Sequence, residues 1–158
     1  MAQKPDFRKL LIAVGSALAV GGLSALLSLS GFSEYGSGTV QPSVAPPAWL
    51  FPVVWTVLYI LMGVGAYLVY ITTSPDRKKA LIVYAVQLVL NFAWTPIFFS
   101  LKAYLLAFIW ILLLWVAVLV MTVLFFKVRE TAGLLQIPYL LWVTFATYLT
   151  WSVLQLNS

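Results

Sequence analysis

The chain has 158 residues, 63% of them hydrophobic and 8% charged, whereas soluble domains carry roughly one-quarter charged residues, so a water-soluble core is excluded. Nine Lys and Arg against four Asp and Glu leave a net charge of +5, and the chain has no Cys and no His. Those absences exclude disulfides, zinc–thiolate sites, Ser-His and Cys-His catalysis and the usual haem axial ligands, which leaves rings, amides and hydroxyls to carry any chemistry.

Uncharged apolar runs of about 20 residues, enough to cross roughly 30 Å of hydrocarbon, recur five times. They are Leu10–Leu29, Leu50–Ile71, Ala80–Phe99, Tyr104–Phe126 and Leu134–Leu154. The predicted fold class is an all-α integral membrane protein, a five-transmembrane-helix bundle forming one domain over residues 1–158. The first run follows Lys4, Arg8 and Lys9 as a signal peptide would, but its length fits a retained span. Its small residues Ala17, Gly21 and Ala25, flanked by Gly15, Ala19 and Gly22, permit close helix approach, either within the chain or with a second copy. Residues 30–49, rich in Gly, Ser and Pro, form the one long connection and read as an outer loop.

The second run opens with APPAWLFPVVWTVLY. Phe51, Trp55, Tyr59, Gly63 and Tyr67 recur at i, i+4 and make one aromatic stripe, broken by a glycine where another group can approach closely. In the third run, YAVQLVLNFAWTPIFF, one helix face holds Tyr84, Gln87, Asn91, Trp94 or Thr95, and Phe98. Amides in hydrocarbon need partners, either other helices or the polar groups of a ligand, and the spacing leaves both open. A tight hairpin joins Phe99 to Tyr104. The fifth run puts Trp142, Phe145, Ala146 and Leu149 on a matching face, and Pro138 frees the carbonyl of Leu134. Aromatic stripes of this kind serve as packing, as interfacial belts or as ligand walls.

Eight of the nine basic residues fall on one side of the membrane: Lys4, Arg8 and Lys9, then Arg77, Lys78 and Lys79, then Lys127 and Arg129; Lys102 lies on the other. The positive-inside rule therefore predicts an inner N-terminus and an outer C-terminus. The positive excess is topological, and no nucleic-acid partner is expected. All four acids lie outside the runs, which leaves a proton-coupled transporter without an evident relay.

The strings PPAWLFPVVWTVLYILMG, QLVLNFAWTPIFF, LLLWVAV, IPYLLWVTFATYL and LQLN, in that order, resemble the TspO/MBR proteins from about Pro42 to Asn157. The resemblance implies a five-helix bundle, commonly a homodimer, whose pocket opens toward the first long loop. It implies porphyrins such as protoporphyrin IX, benzodiazepine-type and isoquinoline compounds, and in some members sterols, as ligands. Carried over residue by residue, the pocket would use Pro46 and Phe51 at the rim, Trp55 and Tyr59 on the second helix, and Gln87, Asn91 and Trp94 on the third. Trp142, Phe145, Ala146 and Leu149 would complete it from the fifth.

In some bacterial relatives the tryptophans matching Trp55 and Trp142 are implicated in light- and oxygen-dependent porphyrin degradation. This chain departs from the family pattern at Val44, where a tryptophan is usual, and at Trp110, where many members carry an acid. No base follows Tyr148, so the sterol pattern near the C-terminus is incomplete.

The expected function is that of a membrane receptor or sensor for porphyrins and similar planar hydrophobic molecules. A tetrapyrrole transporter, a light-dependent porphyrin-degrading protein and a purely structural partner are the alternatives. No catalytic residue, metal ligand or resident cofactor is assigned, porphyrin being a ligand. The expected partners are the lipid bilayer, the ligand and a second copy of the chain, in a bacterial cell membrane.

Overall fold

A computed structural model describes residues 3–158. Five helical segments are long and apolar enough to cross a membrane: Phe7–Leu27, Leu50–Tyr70, Arg77–Ser100, Tyr104–Val128 and Glu130–Leu156. The helices are α1 (Phe7–Leu27), α2 (Leu29–Gly38), α3 (Leu50–Tyr70), α4 (Arg77–Thr95), α5 (Tyr104–Val128), α6 (Glu130–Leu134) and α7 (Ile137–Leu156). The Asp6 carboxylate accepts from the backbone N–H groups of Arg8 and Lys9 at 3.1 and 3.3 Å and so starts α1. Large apolar side chains such as Leu105, Ile109, Leu113 and Val116 on α5 are exposed, as expected where hydrocarbon is the solvent.

The spanning helices form a closed ring in the order α1, α3, α7, α5, α4, with close packing of α1 on α3, α4 on α5, and α5 on α7. Small residues decide where backbones meet. A side chain at Gly63 would strike the backbone of Ala13 and Val14 on α1, and Gly21 lies against the ring of Tyr59. Ala17 is fully buried, so the Ala17/Gly21 face of α1 packs within the chain. Gly15 and Gly22 face open space. The α3 and α7 backbones approach far less closely, because aromatic side chains stand between them.

The connection expected as a loop over residues 30–49 is helical in its first half. Gly and Ser are poor helix formers, but packing overrides propensity in α2. Phe32 meets Phe99 with ring centroids 4.6 Å apart, and Tyr35 meets Phe98 and Phe99 at 5.4 and 5.1 Å. Glu34 adds an ion pair to Lys102 at 2.8 Å. A non-helical segment remains from Thr39 to Trp49.

The third and fifth spans depart from regular helix near Pro96 and Pro138. After Thr95 the third span widens into a π-type turn over Pro96–Ser100, with the N–H of Leu101 bonded to the carbonyl of Pro96 at 2.9 Å. Pro96 has no N–H for the carbonyl of Phe92, and the Ser24 hydroxyl of α1 supplies the donor at 2.8 Å. The following turn holds Lys102 at φ 50°, a left-handed conformation that closes the short α4–α5 hairpin. The last span, expected to be continuous from Leu134, breaks at Leu135–Gln136, and Pro138 sits in the first turn of α7, where its missing N–H costs nothing. The Gln136 amide fills the break, donating to the carbonyls of Leu61 at 3.3 Å and Ala132 at 3.4 Å. Gly65 makes room for it.

Candidate functional site

Two aromatic walls face each other across the α3–α7 gap. Successive turns of α3 present Phe51, Trp55 and Tyr59, with the Trp55 and Tyr59 centroids 5.7 Å apart. From α7, Trp142 meets Phe51 at 5.8 Å and Trp55 at 6.5 Å, the latter with ring planes at 90°. Tyr139 meets Trp55 at 6.3 Å, and Phe145 lies 5.7 Å from Trp142. These are the edge-to-face and tilted geometries that aromatic quadrupoles favour. Beside the rings a groove of about 540 Å³ opens between the helices, lined by Val53, Val54 and Val57 on one side and Pro138, Leu141 and Phe145 on the other.

Behind the rings lies a polar junction of three helices. Tyr59 donates its hydroxyl hydrogen to Asn91 Oδ1 at 2.9 Å, Asn91 Nδ2 donates to the Tyr139 hydroxyl at 2.8 Å, and that hydroxyl donates to Gln87 Oε1 at 2.7 Å. Gln87 Nε2 points at the sulfur of Met62 at 3.7 Å. Gln87, Asn91 and Tyr139 are all at most 1% exposed. Of the two roles the spacing left open for the amides, the interhelical one is realised directly. Among the described residues four buried side-chain polar atoms lack a partner: the indole N–H groups of Trp94 and Trp142, the hydroxyl of Tyr84 and Oε1 of Gln136. A buried donor without an acceptor is rare enough in native structures to need a reason.

The predicted residues do not all gather in one place. Phe51, Trp55, Tyr59, Trp142 and Phe145 form the ring cluster, and Gln87 and Asn91 back it through the Tyr139 hydroxyl. Ala146 and Leu149 are buried on the same α7 face, one and two turns beyond Trp142. Pro46 is half-buried in the segment leading into α3. Trp94 belongs to a second cluster, stacked on Phe98 at 5.1 Å with planes 21° apart and edge-on to Phe99 at 6.1 Å. Tyr139, the hub of the junction, was not singled out in the sequence. Its position three residues before Trp142, on the same helix face, was the available signal.

The Thr39–Trp49 segment is fastened at its start. Asn157 clasps Val40 by accepting from its N–H at 3.0 Å and donating to its carbonyl at 2.9 Å, and the Thr39 and Tyr104 hydroxyls share a bond of 2.8 Å. Nearby, the hydrogen bond and charge of Lys102 hold the Glu34 carboxyl below its usual range, and Glu34 in turn raises Lys102. Trp110 donates its indole N–H to the carbonyl of Leu90 at 2.8 Å and pins α5 to α4.

Fold and site together define an integral membrane protein of five helices with an aromatic cleft backed by buried amides. A family model described as the TspO/MBR family matches residues 13–156. The chain is 38% identical over 150 residues to the tryptophan-rich protein TspO of Chlorobaculum tepidum, covering 94% of this chain and 95% of that one. Protein CrtK of Rhodobacter capsulatus is 42% identical over 119 residues, 74% of each chain. The human translocator protein is 38% identical over 120 residues, 74% of this chain and 71% of the relative. The chain belongs to the TspO/MBR family.

Proposed function

We propose that the protein is a receptor for porphyrins, with protoporphyrin IX as the type ligand, and that the ligand inserts between the aromatic walls of α3 and α7. The observation that carries this reading is the pairing of Trp55 with Trp142, edge to face, beside an apolar groove of about 540 Å³, within the roughly 300–1,000 Å³ typical of small-molecule sites. A flat macrocycle gains by stacking on such rings, at about 0.5–1.5 kcal/mol per aromatic pair beyond area burial. The unpartnered indole N–H of Trp142 supplies a donor for a ring nitrogen or a propionate oxygen. With neither His nor Cys in the chain, affinity rests on ring contact and shape, so metal-free porphyrin binds at least as well as haem. The homodimer carried by the resemblance would use the outward face of α1, where Gly15 and Gly22 are open.

The test is titration of the protein in lipid nanodiscs with protoporphyrin IX, read by quenching of its seven tryptophans. Saturable quenching, weakened by Trp142→Phe and by Trp55→Phe, is the expected result. If quenching rises linearly with porphyrin and is unchanged in the double Phe variant, the ligand is merely partitioning into lipid and the reading fails. Loss of porphyrin absorbance under light and oxygen, abolished in the double variant because Phe lacks the easily oxidised indole, would add degradation to binding.

A further inference from the structure

At the basic end of the bundle, where α3 hands over to α4, a second, open groove of about 430 Å³ is lined by Tyr70, Arg77, Lys78, Leu81, Ile82 and Ala85. Helical spacing explains its character. Arg77 and Lys78, Leu81 and Ile82, then Ala85 follow one another at i, i+4 along α4, so two cations stand at the rim of an apolar trough. At 1.5 Å rise per residue, that trough runs about 10 Å from Lys78 to Ala85.

Among the described residues neither Arg77 nor Lys78 takes part in an ion pair. Among the described residues the ion pairs are Lys9 with Asp6 and Lys102 with Glu34; Asp76, next in sequence to Arg77, takes part in neither. Arg77 donates one long bond, 3.4 Å, to the carbonyl of Tyr70, which leaves most of its guanidinium fork free. Lys9, paired with Asp6, stands over the Tyr70 ring, 5.5 Å from its centroid.

A soluble anion would have no use for the trough, and an uncharged lipid none for the rim. The combination fits an amphiphile with an anionic head and a hydrocarbon tail. We propose that this groove binds an anionic phospholipid from the leaflet on the basic side of the bundle. Its phosphate lies between the Arg77 fork and the Lys78 ammonium, and one acyl chain runs along Leu81, Ile82 and Ala85. Bound there, the lipid bridges the end of α3 and the start of α4, the corner that carries three of the eight bases on that side.

The experiment is native mass spectrometry of the full chain, released from micelles containing equal amounts of phosphatidylglycerol and phosphatidylcholine. The wild type should retain phosphatidylglycerol selectively, and Arg77→Gln with Lys78→Gln should lower that selectivity roughly ten-fold. Lys127→Gln with Arg129→Gln, the same loss of charge at the other basic loop, should leave it unchanged. Ala85→Phe, at an exposed position that folding tolerates, fills the trough while keeping both cations and should also reduce retention. Excess glycerol phosphate should not displace the lipid. The proposal falls if the Arg77/Lys78 variant retains phosphatidylglycerol as the wild type does, if the Lys127/Arg129 variant loses it equally, if Ala85→Phe has no effect, or if glycerol phosphate competes.

Discussion

Tyr139→Phe removes one oxygen from the centre of the bundle and leaves its ring in place, so it isolates the polar junction. The hydroxyl accepts from Asn91 at 2.8 Å and donates to Gln87 at 2.7 Å in a fully buried position. Two hydrogen bonds inside a membrane protein, at about 0.6 kcal/mol each, amount to ~1.2 kcal/mol. Two unpaired buried atoms, at about 1–3 kcal/mol each, would amount to ~2–6 kcal/mol. Asn91 Nδ2 and Gln87 Oε1 both lose the hydroxyl, yet the lower figure governs, because a chain unfolded in detergent also finds partners. Equilibrium unfolding in mixed micelles should therefore show a loss of about 1–2 kcal/mol for Tyr139→Phe. Asn91→Leu removes one of the same bonds, so the double variant should miss additivity by at least about 0.5 kcal/mol. A neutral Tyr139→Phe, or strict additivity, would show that the hydroxyl is not the hub.

Gly63→Leu drives a side chain into the α1 backbone and should destabilise by at least about 1–3 kcal/mol in the same unfolding assay, whereas Gly22→Ala, facing open space, should be nearly silent. Cysteine labels at Lys78 and Lys127 should react from one side of sealed vesicles and a label at Gly38 from the other; Gly38 and Lys78 reacting from the same side would refute the five-span topology. Glu34 has its pKa lowered from 4.5 by Lys102, and Lys102 has its own raised from 10.5 by Glu34. Their mutual stabilisation is therefore present between those values and is lost as pH falls below the lowered Glu34 pKa or rises above the raised Lys102 pKa. Hydrogen exchange in α2 should quicken at the acidic end of that window and with salt, and Glu34→Gln should remove the acid dependence.

The Trp55 and Tyr59 wall and the amide-bearing face of α4 were legible as residue patterns, because helical periodicity places i, i+3 and i+4 on one side whatever the partner turns out to be. Tyr84, Gln87, Asn91, Trp94 and Phe98 are indeed all buried. Their partners were not legible. The spacing left Gln87 and Asn91 between two roles, and only the arrival of Tyr139 from α7, 48 residues beyond Asn91, ties both into one junction. Trp94 shares a face with Asn91, yet it lies close enough to the wide turn after Thr95 to stack on Phe98 rather than join Trp55 and Trp142.

Composition and charge by themselves determined that this chain is a five-span membrane bundle with its bases gathered on one side, since hydrocarbon thickness sets span length and charged side chains are expelled from it. Tertiary structure alone decided the order of helices around the ring, the folding of Leu29–Gly38 as α2 and the use of Ser24 to satisfy the carbonyl freed by Pro96. Each depends on contact between residues distant in sequence. Close approach occurs where Gly63 and Gly21 remove bulk from the α1–α3 contact, and separation persists where Trp55 and Trp142 insert it. Periodicity says which side of a helix seeks a partner, but which partner it finds depends on the summed volumes and hydrogen-bonding needs of all the helices packed together.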